Sequence, residues 1–282
     1  MTHSTSRADC SETHPDCLRL RRDSRSLGVA DQDNLPFMLC PPGATTAALL
    51  VHGFTATPWE MRPLAEFLAE AGMASLAVRL PGHGTSPEDL AGRRWEEWSG
   101  ACIEGYKILS KEFPIIYGMG MSTGCLLLLE MARANPFSGL VLFSPYLRVL
   151  HWLAPYAGWL RWLRPYQVKS GDEGLSNRYY NRRPLAGIHQ INRLLRTVRS
   201  QLPQVVCPVL AFNGEGDETV DINSGRQLVD LLGSSVKIHE RYGPEVPHVL
   251  TREENPRRWV MFDQAVRFVQ ELENPGTAVR VR

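Results

Sequence analysis

Apolar residues fall along this chain in two alternating rhythms. Short, mostly apolar runs at 47–51, 73–80, 115–117 and 139–143 are too short for helices and read as strands buried on both faces. Between them apolar positions recur every three or four residues. Leu64, Phe67, Leu68 and Ala71 form one such stripe, and Trp95, Trp98, Cys102, Tyr106 and Leu109 form a second within 94–112. A third apolar stretch, long enough for a core helix, follows Gly124. The first helix has start and stop signals: Thr57 and Glu60 can form a capping box, Pro58 suits the first helical position, and Gly72 ends the pattern. Residues 35–40 read as an edge strand before the turn Pro41-Pro42-Gly43. Strand and helix in alternation predict an α/β fold with a mostly parallel, doubly wound sheet.

The alternation breaks at Pro145. Residues 146–203 show no strand pattern, but carry Trp152, Leu153, Tyr156, Trp159, Leu160, Trp162, Leu163 and Tyr166 on short helices cut by Pro155 and Pro165. A longer helix is expected over 185–202. Strand and helix then resume: a strand at 205–212, a helix at 221–232 capped by Asp221 and stopped by Gly233, a strand at 236–242, and a last helix from Asn255-Pro256 along Trp259, Phe262, Val266 and Val269. The simplest organisation is one α/β core made of 35–144 and 204–273, with 145–203 inserted as a helical cap. Residues 1–34, poor in apolar side chains, are expected to form a mobile extension, and 274–282 a frayed tail.

At 282 residues and 43% hydrophobic content the chain can bury a large core. Its net charge of +1 is unevenly spread. Residues 145–203 hold ten Arg and Lys against Asp172 and Glu173, a local +8, so the remainder carries −7. The six cysteines form no Cys-x-x-Cys pair, which suits reduced thiols in a cytoplasmic protein. No apolar run has signal-peptide or membrane-spanning character. Neither a metal-ligand spacing nor a glycine-rich phosphate loop is present, so no metal and no cofactor are expected. The basic, aromatic stretch lies in the insertion, where a nucleic-acid partner is not expected.

Chemistry concentrates at Gly120-Met121-Ser122-Thr123-Gly124, between a strand and a helix. A serine at that apex needs glycine on both sides, and gains an exposed Oγ at the positive end of a helix. An acid and a histidine follow in the order this architecture requires: Asp217 in the loop after the strand at 205–212, and His248 after the strand at 236–242. His248 would act as base for Ser122 and Asp217 would orient it. The amides of Thr123 and Phe54 would stabilise an oxyanion. Glu215, Glu218 and Asp221 are rivals to Asp217, although Asp221 is better placed as a helix cap. His239 alternates within a strand and should face solvent, while His52 and His83 precede the nucleophile and suit supporting roles.

On these residues the chain resembles the α/β-hydrolase fold family, and within it the bacterial carboxylesterase and monoacylglycerol lipase group. The resemblance is carried by Leu-Leu-Val-His-Gly-Phe-Thr at 49–55, Pro-Gly-His-Gly at 81–84, Gly-Met-Ser-Thr-Gly at 120–124, Gly-Glu-Gly-Asp at 214–217 and Pro-His-Val-Leu-Thr at 247–251. It implies Ser122 as nucleophile, Asp217 as acid, His248 as base, Phe54 and Thr123 as oxyanion donors, and 145–203 as the cap that shapes an acyl pocket. It implies monoacylglycerols or other small apolar acyl esters as substrates, with thioesterase or acyltransferase activity as the alternative. A non-catalytic relative of this fold usually lacks a triad member, and all three candidates are here. Dehalogenase and epoxide hydrolase chemistry would need an aspartate at position 122. Two departures stand out: Thr123 occupies a position where these esterases often carry Met, Leu or Gln, and the cap is richer in Trp and Arg. The cap aromatics are expected to wall the pocket above Ser122, with the arginines outward. That composition also suits transient contact with a lipid surface.

Overall fold

The computed structural model describes residues 8–150, 156–168 and 178–274. Its strands are β1 (Phe37–Leu39), β2 (Thr46–Val51), β3 (Ala74–Val78), β4 (Ile115–Met121), β5 (Gly139–Phe143), β6 (Tyr166–Val168), β7 (Arg182–Pro184), β8 (Val209–Gly214) and β9 (Lys237–Tyr242). Seven of them form one sheet in the order β1-β3-β2-β4-β5-β8-β9, parallel throughout except for β1, which runs antiparallel to β3. The helices are α1 (Pro15–Ser26), α2 (Arg62–Glu70), α3 (Pro87–Gly92), α4 (Trp95–Leu109), α5 (Thr123–Met131), α6 (Ala157–Leu160), α7 (Leu185–Gln201), α8 (Ile222–Asp230) and α9 (Arg258–Glu273).

Alternation along the strands divides the core into two layers. Ala47, Leu49 and Val51 of β2 pack with α4, α5, α7 and α8 through Trp98, Leu126, Leu194 and Leu228. Ala48 and Leu50 face the other way, onto Leu64 and Leu68 of α2 and Phe262 and Phe268 of α9. Both faces of β2 are buried, which is why the parallel strands read as unbroken apolar runs. After β5 the chain leaves the sheet and returns at β8, which begins four residues later than expected because residues 205–208 run as an irregular segment with a bend at Cys207.

Three expectations need correction. Residues 8–34 are folded onto the sheet edge, where a mobile extension was expected. Asp9 bridges Leu39 of β1, the Cys10 amide donates to Met38 O (3.1 Å), and α1 buries Cys17 and Arg21. Arg21 donates to Pro36 O (3.0 Å) and pairs with Glu12 (2.5 Å). The segment is held by a few small apolar contacts and many polar bonds, a pattern that low apolar content conceals. Secondly, Thr57 and Glu60 form no capping box. Thr57 Oγ1 donates to Asn34 Oδ1 (2.8 Å), Pro58–Met61 is a 3-10 turn, and Glu60 turns into the interior. Thirdly, the insertion contains an antiparallel ribbon, β6–β7, pairing Gln167 with Arg183. Strands of three residues are too short for a period of two to register. Trp152, Leu153 and the tail after Asn274 lie outside the described residues. No helix among the described residues is long and apolar enough to cross a membrane.

Candidate active site

The loops that follow β2, β4, β8 and β9 meet at the carboxyl edge of the sheet. At the end of β4, Ser122 adopts φ 54° and ψ −113°, a left-handed φ that a residue with a Cβ avoids unless its surroundings impose it. Those surroundings are tight. A Cβ on Gly124 would lie 2.2 Å from Val51 O, and one on Gly120 would lie 2.7 Å from the Gly124 carbonyl carbon. Glycine at both positions lets the turn close, with the Ser122 amide bonded to Phe143 O (2.8 Å) and the hydroxyl thrown clear of the backbone.

That hydroxyl lies 2.9 Å from His248 Nε2. His248 Nδ1 lies 2.6 Å from Asp217 Oδ2, and the second carboxylate oxygen accepts the amides of Thr219 (2.8 Å) and Val220 (3.0 Å). The Asp217 side chain is fully shielded from solvent. A carboxylate only accepts, so Nδ1 carries the proton and Nε2 is free to accept from Ser122. Ser144 Oγ donates to His248 O (2.7 Å) and fixes the backbone of the histidine loop. Together these bonds can draw the proton from Ser122 and stabilise the imidazolium that results.

A cavity of about 920 Å³ opens over Ser122, and Phe54, Thr123 and His248 line it. The His52-Gly53-Phe54 loop lies against the serine: a Cβ on Gly53 would be 3.5 Å from Ser122 Cβ. Thr123 begins α5, so its amide stands at the positive end of that helix.

The profile of the "Alpha/beta hydrolase family" matches residues 48–271. The chain belongs to the alpha/beta hydrolase family. It is 34% identical over 193 residues to the thermostable monoacylglycerol lipase of Bacillus sp. (strain H-257), covering 67% of this chain and 77% of that protein. It is 24% identical over 239 residues to the carboxylesterase of Bacillus subtilis (strain 168), covering 82% of this chain and 95% of the relative. Among solved structures, one from work on two metagenome-derived lipolytic enzymes, LipS and LipT, has a TM-score of 0.76 at 24% identity, over 85% of this chain and 98% of that one. The monoacylglycerol lipase of Paleococcus ferrophilus has a TM-score of 0.71 at 19% identity, over 84% and 98%. At these identities the solved structures establish the shared fold. The resemblance to carboxylesterases and monoacylglycerol lipases drawn from the motifs therefore holds.

The other expected residues of this hydrolase separate cleanly from Ser122. Glu215 pairs with Arg241 (2.9 Å), and Glu218 is exposed at the cavity rim. Asp221 caps α8 through the Asn223 amide (3.0 Å) and pairs with Arg148. Burial raises the Asp221 pKa, but Arg148 and the cap outweigh it and hold the carboxyl below its usual range. His239, expected in solvent, instead contacts Asn213 Oδ1 through Nε2 (2.9 Å). His52 Nε2 accepts the Leu80 amide (3.2 Å), which leaves Nδ1–H for Gly53 O (2.8 Å). Burial pushes the His52 pKa down to about 4 and takes His83, packed edge-on against it (5.0 Å between rings), well below its ordinary value. Both are neutral struts under the Phe54 loop.

Sequence reasoning missed Glu60. Its Oε2 accepts the Gly53 amide (2.7 Å) and its Oε1 accepts the hydroxyl of Tyr179 (2.9 Å), so one buried carboxylate joins the loop under Ser122 to the inserted segment. Burial raises the Glu60 pKa, and those two hydrogen bonds oppose the shift. The neighbouring Tyr180 extends the tie: its amide donates to Thr55 O (3.0 Å), while its hydroxyl donates to Gly82 O (2.9 Å) and accepts from the Thr85 amide (2.8 Å). No linear spacing announces such a contact, because the turn at 58–61 folds the carboxylate back on a loop seven residues earlier.

The expected wall of cap aromatics forms only in part: Tyr166 lines the cavity but Trp159 and Trp162 do not, and Arg164, expected to face outward, lines it too. Trp159 and Trp162 are 70% and 78% exposed, and Leu160 joins Tyr166 and Arg164 along the cavity. The four-residue helix α6 places Trp159 and Leu160 side by side on different faces, and Trp162 follows in the turn after it.

Proposed function

We propose that this protein is a serine hydrolase that cleaves carboxylic esters, with monoacylglycerols and other small acyl esters as the substrate class, through an acyl-enzyme. The observation that carries the proposal is the hydrogen-bonded run Ser122–His248–Asp217, ending in a strained serine that faces the cavity. Ser122 Oγ attacks the ester carbonyl as His248 Nε2 takes its proton. The amides of Phe54 and Thr123 stabilise the oxyanion. The imidazolium then protonates the departing alcohol, and a water activated by the same histidine releases the acid. The names of the relatives, a monoacylglycerol lipase and a carboxylesterase, support the choice of esters. Residues 145–203 act as the cap over the cavity, since Leu160, Tyr166, Tyr180 and Ile188 line it from that side. The exposed Trp159, Trp162 and Leu163, with Arg161 among them, suit transient contact with a lipid surface.

A fluorophosphonate probe should label the wild-type protein and leave Ser122→Ala unlabelled; labelling of the variant overturns the assignment. Hydrolysis of p-nitrophenyl esters of graded chain length, run beside an acyl-CoA, separates an esterase from a thioesterase or acyltransferase. Faster turnover of the acyl-CoA would favour the latter pair.

A further inference from the structure

The ribbon β6–β7 places two arginines in succession and sends them to opposite sides. Arg182 turns outward, where it pairs with Glu88 (2.8 Å) and lies over the Tyr166 ring (4.8 Å). Arg183, one residue on and therefore on the other face of the ribbon, lines the cavity above Ser122, as does its cross-strand neighbour Gln167. Among the described residues Arg183 has no hydrogen bond, ion pair or ring partner, while Arg182, Arg178 and Arg193 close by are each paired with a carboxylate. The ionisable side chain beside Arg183 is Tyr146, whose hydroxyl is occupied with Thr123 Oγ1 (3.1 Å).

Arg183 is half-buried, and a guanidinium drawn partly out of water without an anion is stabilised by a ligand that supplies one. Among the described residues, the acidic groups of the cavity do not supply it. Glu60 is committed to Gly53 and Tyr179, and Glu218 and Glu254 are exposed at the rim. Burial lowers the pKa of Arg183, as expected for a cation lacking a carboxylate. Thr123 and Tyr146 add hydroxyls to the same wall, which makes this side of the cavity polar where Leu160 and Ile188 make another side apolar.

We propose that Arg183 is a specificity residue, and that the preferred substrate is an ester bearing an anionic group, a carboxylate or phosphate, which its guanidinium holds while Ser122 attacks the carbonyl. The planar fork of arginine suits bidentate contact with either oxyanion. This inference rests on the ester-hydrolase reading and assigns the substrate class within it.

The test compares matched pairs that differ in charge. One pair, 4-nitrophenyl hydrogen glutarate and 4-nitrophenyl pentanoate, puts a carboxylate on the acyl side. The other, 1-lauroylglycerol 3-phosphate and 1-lauroylglycerol, puts a phosphate on the alcohol side. The wild type should show a higher kcat/KM for the charged member of at least one pair, and the pair showing it identifies the side that faces Arg183. In Arg183→Gln that ratio should fall by roughly ten- to a hundredfold, the usual effect of removing a charge-assisted bond, and Arg183→Lys should restore part of it. Reading a ratio within each variant cancels any general loss of activity, and thermal melting confirms that both variants fold. No charge preference in either pair, or a preference that survives in Arg183→Gln, overturns the proposal. If none of the four esters is cleaved and a fluorophosphonate fails to label Ser122, it is the hydrolase reading that fails.

Discussion

At Ser122 a left-handed backbone angle exposes the hydroxyl, and a strain of about 1–3 kcal/mol is held by the close approach of Gly120 and Gly124 to their neighbours. The residues around it are specialised by what their remaining atoms touch. Asp217 spends one oxygen on two amides and keeps the other for His248, whereas Glu215 and Glu218 point elsewhere. Asp217→Asn should therefore lower kcat on the order of 10⁴-fold by favouring the wrong tautomer. Glu215→Gln and Glu218→Gln should keep kcat near wild type, and a folded variant of either that is as inactive as Asp217→Asn would move the role. Glu60 acts through the Gly53 amide. Glu60→Ala should cut kcat by roughly 10- to 100-fold with little change in KM, the cost of a buried donor left unpaired beneath the oxyanion loop. Glu60→Gln retains an acceptor for that amide and should recover most of the loss; an alanine variant with wild-type kcat would remove the residue from the machinery. Ser122, Asp217 and His248 were legible because each follows a strand in a glycine- or proline-containing loop. Glu60, Tyr179 and Arg183 were not, because their roles arise where distant loops fold together.

Among the elements, the strands and core helices were legible wherever burial on both faces left unbroken apolar runs, as in β2 and β4. Helix α1 was not, since it attaches to the sheet edge through Cys17, Arg21 and backbone pairing at Asp9 rather than through an apolar stripe. A protein lacking residues 1–34 should melt at a lower temperature and scatter light at concentrations where the full chain stays clear, because β1 would become an open edge. An unchanged melting temperature would show that the segment contributes nothing. The short helix α6 gives the opposite expectation. With Trp159 and Trp162 mostly exposed, alanine at either position should change unfolding free energy by no more than about 0.5 kcal/mol. The double variant should lose co-sedimentation with vesicles containing anionic lipid, and retention of wild-type binding would reject the lipid-surface role.

For the molecule as a whole, the buried imidazoles make stability depend on pH. His52 titrates near 4 when folded and near 6.5 when unfolded, so the unfolded chain binds the proton first. Its contribution is complete above pH 6.5 and is lost as the pH falls towards 4, by about 3 kcal/mol over that window. His83 shifts in the same direction. Denaturant titrations between pH 4 and 8 should show this decline, and His52→Gln should flatten part of it; an equal slope in the variant would mean that other groups dominate. At this scale the mostly parallel sheet and its two helical layers followed from alternation alone, while the strand order and the contacts of the inserted segment did not. The inserted segment meets the core at Tyr179, which shares the Glu60 carboxylate with the Gly53 amide. Roof and Gly53 loop are thus tied through one carboxylate, so lifting the roof should loosen the Glu60 bond to that amide. Hydrogen exchange at Gly53 would then count the excursions of the roof, and an acylated Ser122 should slow the exchange.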